Sequence, residues 1–253
     1  MPAKFRIKTG IKVLSFLVVL FFLIGFVEKK HSEKICKSIK IEVNNEHDNY
    51  FVDEQDILSL INGQQGNLIG KELIHIDLKN IELRIETNKF VKDAQVFNDL
   101  TGNLLVRISQ NRPIARVVRE PEGGFYISSD ASVLPLSNKF SSRVMILTGA
   151  YANRLTTSFL QKSEEGKSIM KVLEFIHKDE FWKSQIVQID FNRYGEMTFY
   201  PQIGKQEIEF GKAVDMEAKF RKLKVFYKKI LPVKGWNRYS RISLKYKNQI
   251  VCE

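Results

Sequence analysis

The residues of this chain best equipped for chemistry do not assemble into a catalytic pattern. Gly166-Lys167-Ser168 has the ending of a phosphate-binding loop, in which backbone N–H groups cradle a phosphate and the lysine reaches its oxygens. That pattern requires a glycine where the chain has Gln161, and Glu164 and Glu165 would repel the phosphate. The histidines His31, His47, His75 and His177 are scattered, without the paired spacing that holds a metal ion, so neither a metal nor a cofactor is expected. His177 with Asp179 and Glu180 forms the densest titratable group. On a helix that spacing is ordinary charge patterning, and no Ser or Cys stands on a strand-to-helix elbow to use the imidazole. No catalytic residue and no small-molecule substrate are therefore expected. A pair of carboxylates meeting in a cleft is what a cell-wall hydrolase would need, and that is the enzymatic alternative. Cys36 and Cys252 show no pairing motif and read as free thiols.

What remains is a different kind of chemistry, the offer of backbone hydrogen bonds. The run Arg241 to Val251 alternates Ile242, Leu244 and Tyr246 with Ser243, Lys245 and Lys247, which predicts one long strand at the end of the chain. A terminal strand belongs at a sheet edge, where unpaired N–H and C=O groups invite an extended partner segment. The same alternation describes any half-buried strand, and lysines on an edge also guard against aggregation.

The elements that must position such an edge form two domains. The first opens with the alternating strand Ile39 to Val43; Asp53 with Asp56 then caps a short helix through Ile57, Leu58 and Ile61, stopped at Asn62-Gly63. Ile81, Leu83 and Ile85 alternate as a strand would, but Asp77 as a cap and Asn88 as a stop favour a second helix through Leu78, Ile81 and Ile85. Val91 to Asn98 and Leu104 to Ser109 then pair across the hairpin turn Asp99-Leu100-Thr101-Gly102. Pro113 marks an edge strand or a domain boundary. Beyond it come a hairpin (Phe125 to Ile127 with Val133-Leu134), a strand over Arg143 to Leu147 and a helix from about Glu165 to Trp182. Strands at Ile186 to Phe191, Glu196 to Tyr200 and Glu207 to Phe210 come next. A helix from Asp215 to Leu231 carries the stripe Met216, Phe220, Leu223, Tyr227 and Ile230, with Lys219, Lys222, Lys228 and Lys229 off it and Pro232 and Gly235 as its stop.

The segment from Leu14 to Val27 holds no charged residue and comes after Lys4, Arg6, Lys8 and Lys12. Counted from Ile11 to Val27 it would make roughly 25 Å of helix, just under a bilayer core of about 30 Å, and Lys12 snorkelling extends its reach. Gly25-Phe26-Val27-Glu28-Lys29-Lys30 lacks the small residues of a signal-peptidase site, so an uncleaved anchor is expected. A short basic N-terminus stays inside while a long C-terminal part translocates, which places the domains outside the cytoplasm. The net charge of +11 falls to +7 without those four N-terminal cations. Basic residues alternate with acids rather than with aromatics, which describes a solvated surface and not a nucleic-acid site.

Strand, helix, helix, strand, strand behind one anchor, with a second β-rich domain after them, resembles the bacterial cell-division family FtsQ, called DivIB in some lineages. The residues that carry the likeness are Asn88-Lys89-Phe90-Val91-Lys92-Asp93-Ala94-Gln95-Val96, Leu104-Leu105-Val106-Arg107-Ile108 and Arg112-Pro113-Ile114-Ala115, with Gly235-Trp236 and Leu244-Lys245-Tyr246 near the end. The resemblance implies an α+β protein: a cytoplasmic tail (1–10), a transmembrane helix (11–28), a POTRA domain of order β-α-α-β-β (36–111), and a β-domain with a mixed or antiparallel sheet and packed helices (112–253). It implies a non-enzymatic scaffold of the divisome in the inner membrane at the division site, its domains periplasmic. Its partners would be the coiled-coil proteins FtsB (or DivIC) and FtsL, and its task to link them to septal wall synthesis. The family's partner-binding strand maps onto Lys245, Tyr246 and Asn248, continued by Gln249 and Ile250, with Tyr246 as an anchor and Lys245 facing an acidic group. POTRA domains also occur in outer-membrane assembly proteins, which is the alternative within that resemblance; those carry a barrel or several POTRA copies, and this chain has neither.

Overall fold

The computed structural model describes residues 12, 14–22, 34–45, 49–63, 66–119, 121 and 123–253. The chain divides into two compact units, residues 1–45 with 52–110 and residues 46–51 with 111–253.

The first unit runs β1 (Ser38–Asn44), α1 (Glu54–Asn62), a 3-10 turn (Leu73–His75), α2 (Leu78–Glu86), β2 (Val91–Asn98) and β3 (Asn103–Gln110). Both helices start where the acids dictate. The Asp53 carboxylate accepts from the Asp56 N–H at 2.8 Å while the Asp56 carboxylate accepts from the Asp53 N–H at 3.1 Å, a reciprocal capping box. Asp77 likewise accepts from the Asn80 N–H at 3.0 Å. The sheet order is β1-β3-β2, with β1 parallel to β3 and β2 antiparallel to it. Alternate residues of β3, Leu104, Val106 and Ile108, turn inward to meet Ile57, Ile61, Ile81 and Ile85 in the buried core.

The second unit is built on a nine-stranded mixed sheet. Its strands are β4 (Pro113–Val117), β5 (Phe125–Ser128), β6 (Val133–Leu134), β7 (Met145–Thr148), β8 (Ile186–Phe191), β9 (Met197–Pro201), β10 (Glu207–Gly211), β11 (Arg241–Ser243) and β12 (Val251–Cys252). Across the sheet they stand in the order β12-β11-β10-β9-β8-β7-β4-β5-β6. Helices α3 (Thr157–Lys162), α4 (Glu164–Lys178), α5 (Glu180–Gln185) and α6 (Met216–Val225) complete the unit. Phe199, Phe210 and Phe220 with Trp182 and Phe175 form its aromatic core, with Phe199 and Phe210 stacked at 4.6 Å and Phe175 against Phe220 at 4.5 Å.

Several elements differ from the expectation. The helix from Glu165 to Trp182 is two helices, because Asp179 is extended (ψ 114°) and its carboxylate caps Phe181 N–H (2.9 Å) and Trp182 N–H (3.1 Å). Helix α3 was not expected from the sequence pattern; Thr156 caps it through the Phe159 N–H. Pro113 lies just past the division between the units at 110/111, as its boundary reading has it, but the strand it opens, β4, is interior and not an edge; as the first residue, beside a register shift, it costs no ladder bond. Pro232 does not stop the last helix, which passes through a π turn (Phe226–Ile230) and ends after Lys234 at Gly235. The extra residue of that turn shifts the stripe beyond Tyr227, so Leu231 is buried and Ile230 is exposed; Phe226 joins the buried face, and Lys219, assigned to the polar face, is buried. Finally, Arg241 to Val251 is not one strand: β11 ends at Ser243 and the chain turns back to form β12.

Residues 14–22 are helical with apolar side chains exposed. Among the described residues no helix is long and apolar enough to cross a membrane. The tail at 1–10, positions 11, 13 and 23–28 of the expected anchor, and His31 and His47 lie outside the described residues.

A strand return at the sheet edge as candidate interface

The C-terminal end of the sheet is made by β10, β11 and β12, with α6 nearby. Strand β11 runs parallel to β10, pairing Arg241 with Glu207, Ile242 with Ile208 and Ser243 with Glu209. The Leu244 N–H still reaches the Glu209 carbonyl at 2.9 Å, and there the pairing ends. Residues 245–250 form a turn, and β12 comes back antiparallel to β11, Ile242 opposite Cys252 and Ser243 opposite Val251.

Register decides which groups face out. Arg241 and Glu253 exchange both backbone bonds, at 3.0 and 3.3 Å. Bonded and non-bonded pairs alternate along an antiparallel ladder, so Ile242 and Cys252 form a non-bonded pair. The N–H and C=O of Cys252 therefore point away from β11, toward the side where, among the described residues, no further strand stands.

The turn is tied down from below by lysine. Lys222 Nζ on α6 donates to the carbonyl oxygens of Tyr246 (2.5 Å), Gln249 (3.3 Å) and Lys247 (3.4 Å). One ammonium thus collects three carbonyls that a short turn cannot pair internally. Burial holds Lys222 below the usual lysine range. One helical turn earlier, Lys219 Nζ donates to the Lys212 carbonyl at 2.9 Å and stands 4.7 Å above the Phe210 ring. Burial depresses its pKa as well, and the Asp215 carboxylate opposes that shift.

The five residues assigned to a binding strand all lie in or beside this turn. Lys245, Tyr246, Asn248 and Gln249 are exposed; Ile250 is half-buried against the core. Tyr246 keeps 53% of its surface free, as suits a semi-exposed anchor. Lys245 already has a counter-ion, Glu196, at 3.3 Å. The Asn192 side-chain amide and the Lys245 ammonium together hold Glu196 below the usual carboxylate range. None of the five belongs to the edge strand itself, which is Val251–Cys252. Sequence reasoning missed Lys222 altogether, since off the apolar stripe of α6 it reads as a solvated lysine. Asn248 did carry a signal, for asparagine favours turns.

The other candidate groups lie elsewhere. Gly166 lies inside α4, where a Cβ would stand 2.1 Å from the Phe159 carbonyl oxygen, so it serves helix packing and not a phosphate loop. His177 lines a cavity of about 260 Å³ with Arg143, Lys183, Ile114 and Met145. Asp179 is used as a helix cap and pairs with Lys224 at 3.5 Å. Cys36 and Cys252 are free thiols, and burial pushes both up.

Residues 112–253 match the family model for FtsQ/DivIB, C-terminal related, and residues 34–109 match that for a POTRA-like domain. No curated protein matches the chain.

Proposed function

The chain belongs to the FtsQ/DivIB family, and from that premise we propose that it is a non-enzymatic, membrane-anchored scaffold of bacterial cell division that binds FtsB- or DivIC-type and FtsL-type coiled-coil partners through the edge formed by β12 and the 245–250 turn. In this reading residues 36–111 are its POTRA domain and residues 112–253 its β-domain. In this reading residues 1–10 stay in the cytoplasm, 11–28 cross the inner membrane once, and both domains stand outside the cytoplasm at the division site, linking the partners to septal wall synthesis.

The observation that carries the interface is the outward N–H and C=O of Cys252 on the last strand of the sheet. An extended partner segment pairing there gains ladder bonds, and the exposed ring of Tyr246 beside it supplies apolar contact of the kind that dominates interfaces. Because Lys245 is neutralised by Glu196, an acidic partner group would first have to compete for it.

The register supplies the test. Cys252→Pro removes the outward donor and leaves the Arg241–Glu253 bonds in place, whereas Cys252→Ala keeps the donor. In co-purification with membrane-embedded partners, the proline variant should retain roughly a tenth of wild-type binding or less, as expected for a lost interfacial bond left unsatisfied in the partner, and the alanine variant should bind normally. Equal binding by both would refute edge pairing. Asn248→Pro would be a poor substitute, because position 248 lies in the turn. Fragment release from peptidoglycan by the purified chain would instead support the hydrolase alternative.

A further inference from the structure

Three stretches of chain converge at one end of the first unit. Residues 34–37 take backbone bonds from both flanking loops: Leu73 N–H to the Lys34 carbonyl (2.9 Å), Gly70 N–H to the Cys36 carbonyl (2.7 Å) and Lys37 N–H to the Gly102 carbonyl (2.8 Å). Lys34 Nζ closes the group by donating to the Leu100 carbonyl at 3.0 Å. Each of these stretches carries an exposed aliphatic residue: Ile35 (47%), Ile69 (51%), Ile74 (64%) and Leu100 (82%). Single exposed aliphatics are ordinary on a protein surface, but four on loops bonded to one another make a patch that calls for a partner. Lys34, Lys37 and Lys71 accompany them, while the carboxylates close by are engaged, Glu72 by His75 at 3.2 Å and Asp99 by Thr101 and Asn103.

The chain length identifies the partner. The proposed span ends at residue 28 and this end of the unit begins at Lys34, so the link has five residues and six steps from one Cα to the next, and reaches at most about 20 Å. The patch is thus leashed close to the bilayer surface. Aliphatic tips beside lysines match the boundary between acyl chains and phosphate headgroups, where apolar side chains enter by roughly 5–10 Å. We infer that this loop end of the first unit docks on the membrane surface, with Leu100, Ile69, Ile74 and Ile35 in the interfacial layer and Lys34, Lys37 and Lys71 at the headgroup phosphates. The inference deepens the anchored reading above and rests on it. Docking would fix the orientation of this unit against the bilayer, which a single covalent link alone would not do.

The test uses the full chain reconstituted in vesicles of phosphatidylcholine and phosphatidylglycerol with brominated acyl chains, in a Cys252→Ser background where the remaining Cys36 is buried. A fluorophore is placed on one of three variants: Leu100→Cys in the patch, Phe21→Cys in the apolar segment, or Ser109→Cys. Ser109 lies six residues beyond Asn103 along β3, about 20 Å farther up the strand. Leu100→Cys should lose roughly half its emission relative to unbrominated vesicles, Phe21→Cys at least as much, and Ser109→Cys essentially none. Quenching at position 21 without quenching at 100 overturns the docking and leaves the anchor standing. Quenching at neither position overturns both.

Discussion

The hairpin β2–β3 in the first unit and the return β11–β12 in the second close by different means. In the first, the strands pair from Val91 to Asn98, and the turn is organised by one of its own residues. Asp99 accepts from the backbone N–H groups of Thr101 and Asn103, both at 2.8 Å, and from the Asn103 side-chain amide at 2.7 Å. In the second, pairing is confined to Arg241, Ile242 and Ser243, and the turn is held by Lys222 from a helix more than twenty positions earlier in the chain. A hairpin that carries its own donors and acceptors is complete locally. One that borrows them is only as ordered as the element that lends, and loosely self-determined edges are where partners bind.

Breaking the lender should have the largest effect. Phe220 lies on α6, is 2% exposed and packs against Phe175, Phe210 and Trp182. Phe220→Ala should destabilise the second unit by about 3–5 kcal/mol, read by chemical denaturation, and loosen the β11–β12 return, while exchange protection in β2–β3 persists. Equal loss of protection in both hairpins would contradict the comparison.

Next comes Gly102, at φ +96°, where a Cβ would meet the Ile35 carbonyl oxygen at 2.9 Å. Gly102→Val should cost about 1–3 kcal/mol in the first unit and leave the C-terminal return unchanged. A smaller effect is expected of Lys222→Met, which keeps the aliphatic stem and removes the ammonium. Global stability should fall by only about 1 kcal/mol, yet the amides of residues 246–252 should exchange faster. Unchanged exchange there would show that the turn does not depend on α6.

The smallest effect is electrostatic, and its sign differs between the two hairpins. Hydrogen bonds, the Asn103 N–H foremost, hold the Asp99 carboxyl well below the usual carboxylate range. Its folded form binds a proton less readily than the unfolded chain, so its contribution is complete above a pH of about 3.9 and is lost as pH falls through the folded value. Lys222, depressed by burial, behaves oppositely. Relative to the neutral amine its charged form is disfavoured by folding at neutral pH, and this disadvantage is relieved as pH rises from the lowered folded value toward about 10.4. Falling pH should therefore speed exchange at Thr101 and Asn103, whereas the contribution of Lys222 changes only at alkaline pH. Two-dimensional NMR across a pH series checks both.

Much of the first unit was legible because its instructions are short-range. Asp53 with Asp56, Asp77, and the Asp99 turn each act within four residues, and apolar spacing separates helix from strand. In the second unit the individual strands from Phe125 to Phe210 were legible for the same reason, but not the break at Asp179, where an acid that would serve equally inside a helix's polar face instead caps a new one. The π turn was hidden because one inserted residue leaves the apolar spacing up to Tyr227 intact and shifts only the residues C-terminal to it.

The sequence by itself determined the two-part order of elements, the caps and the tight hairpin, while residues 245–250 came only from the resemblance to a family. Tertiary structure alone decided that these residues turn instead of running straight. Alternation at Ile242, Leu244 and Tyr246 is the same for one long strand as for a short strand entering a return, so local pattern is silent between them. The choice rests on the Lys222 ammonium, the Glu209 carbonyl and the Glu196 carboxylate, groups brought to the turn from distant positions by the packing of α6 and the central strands.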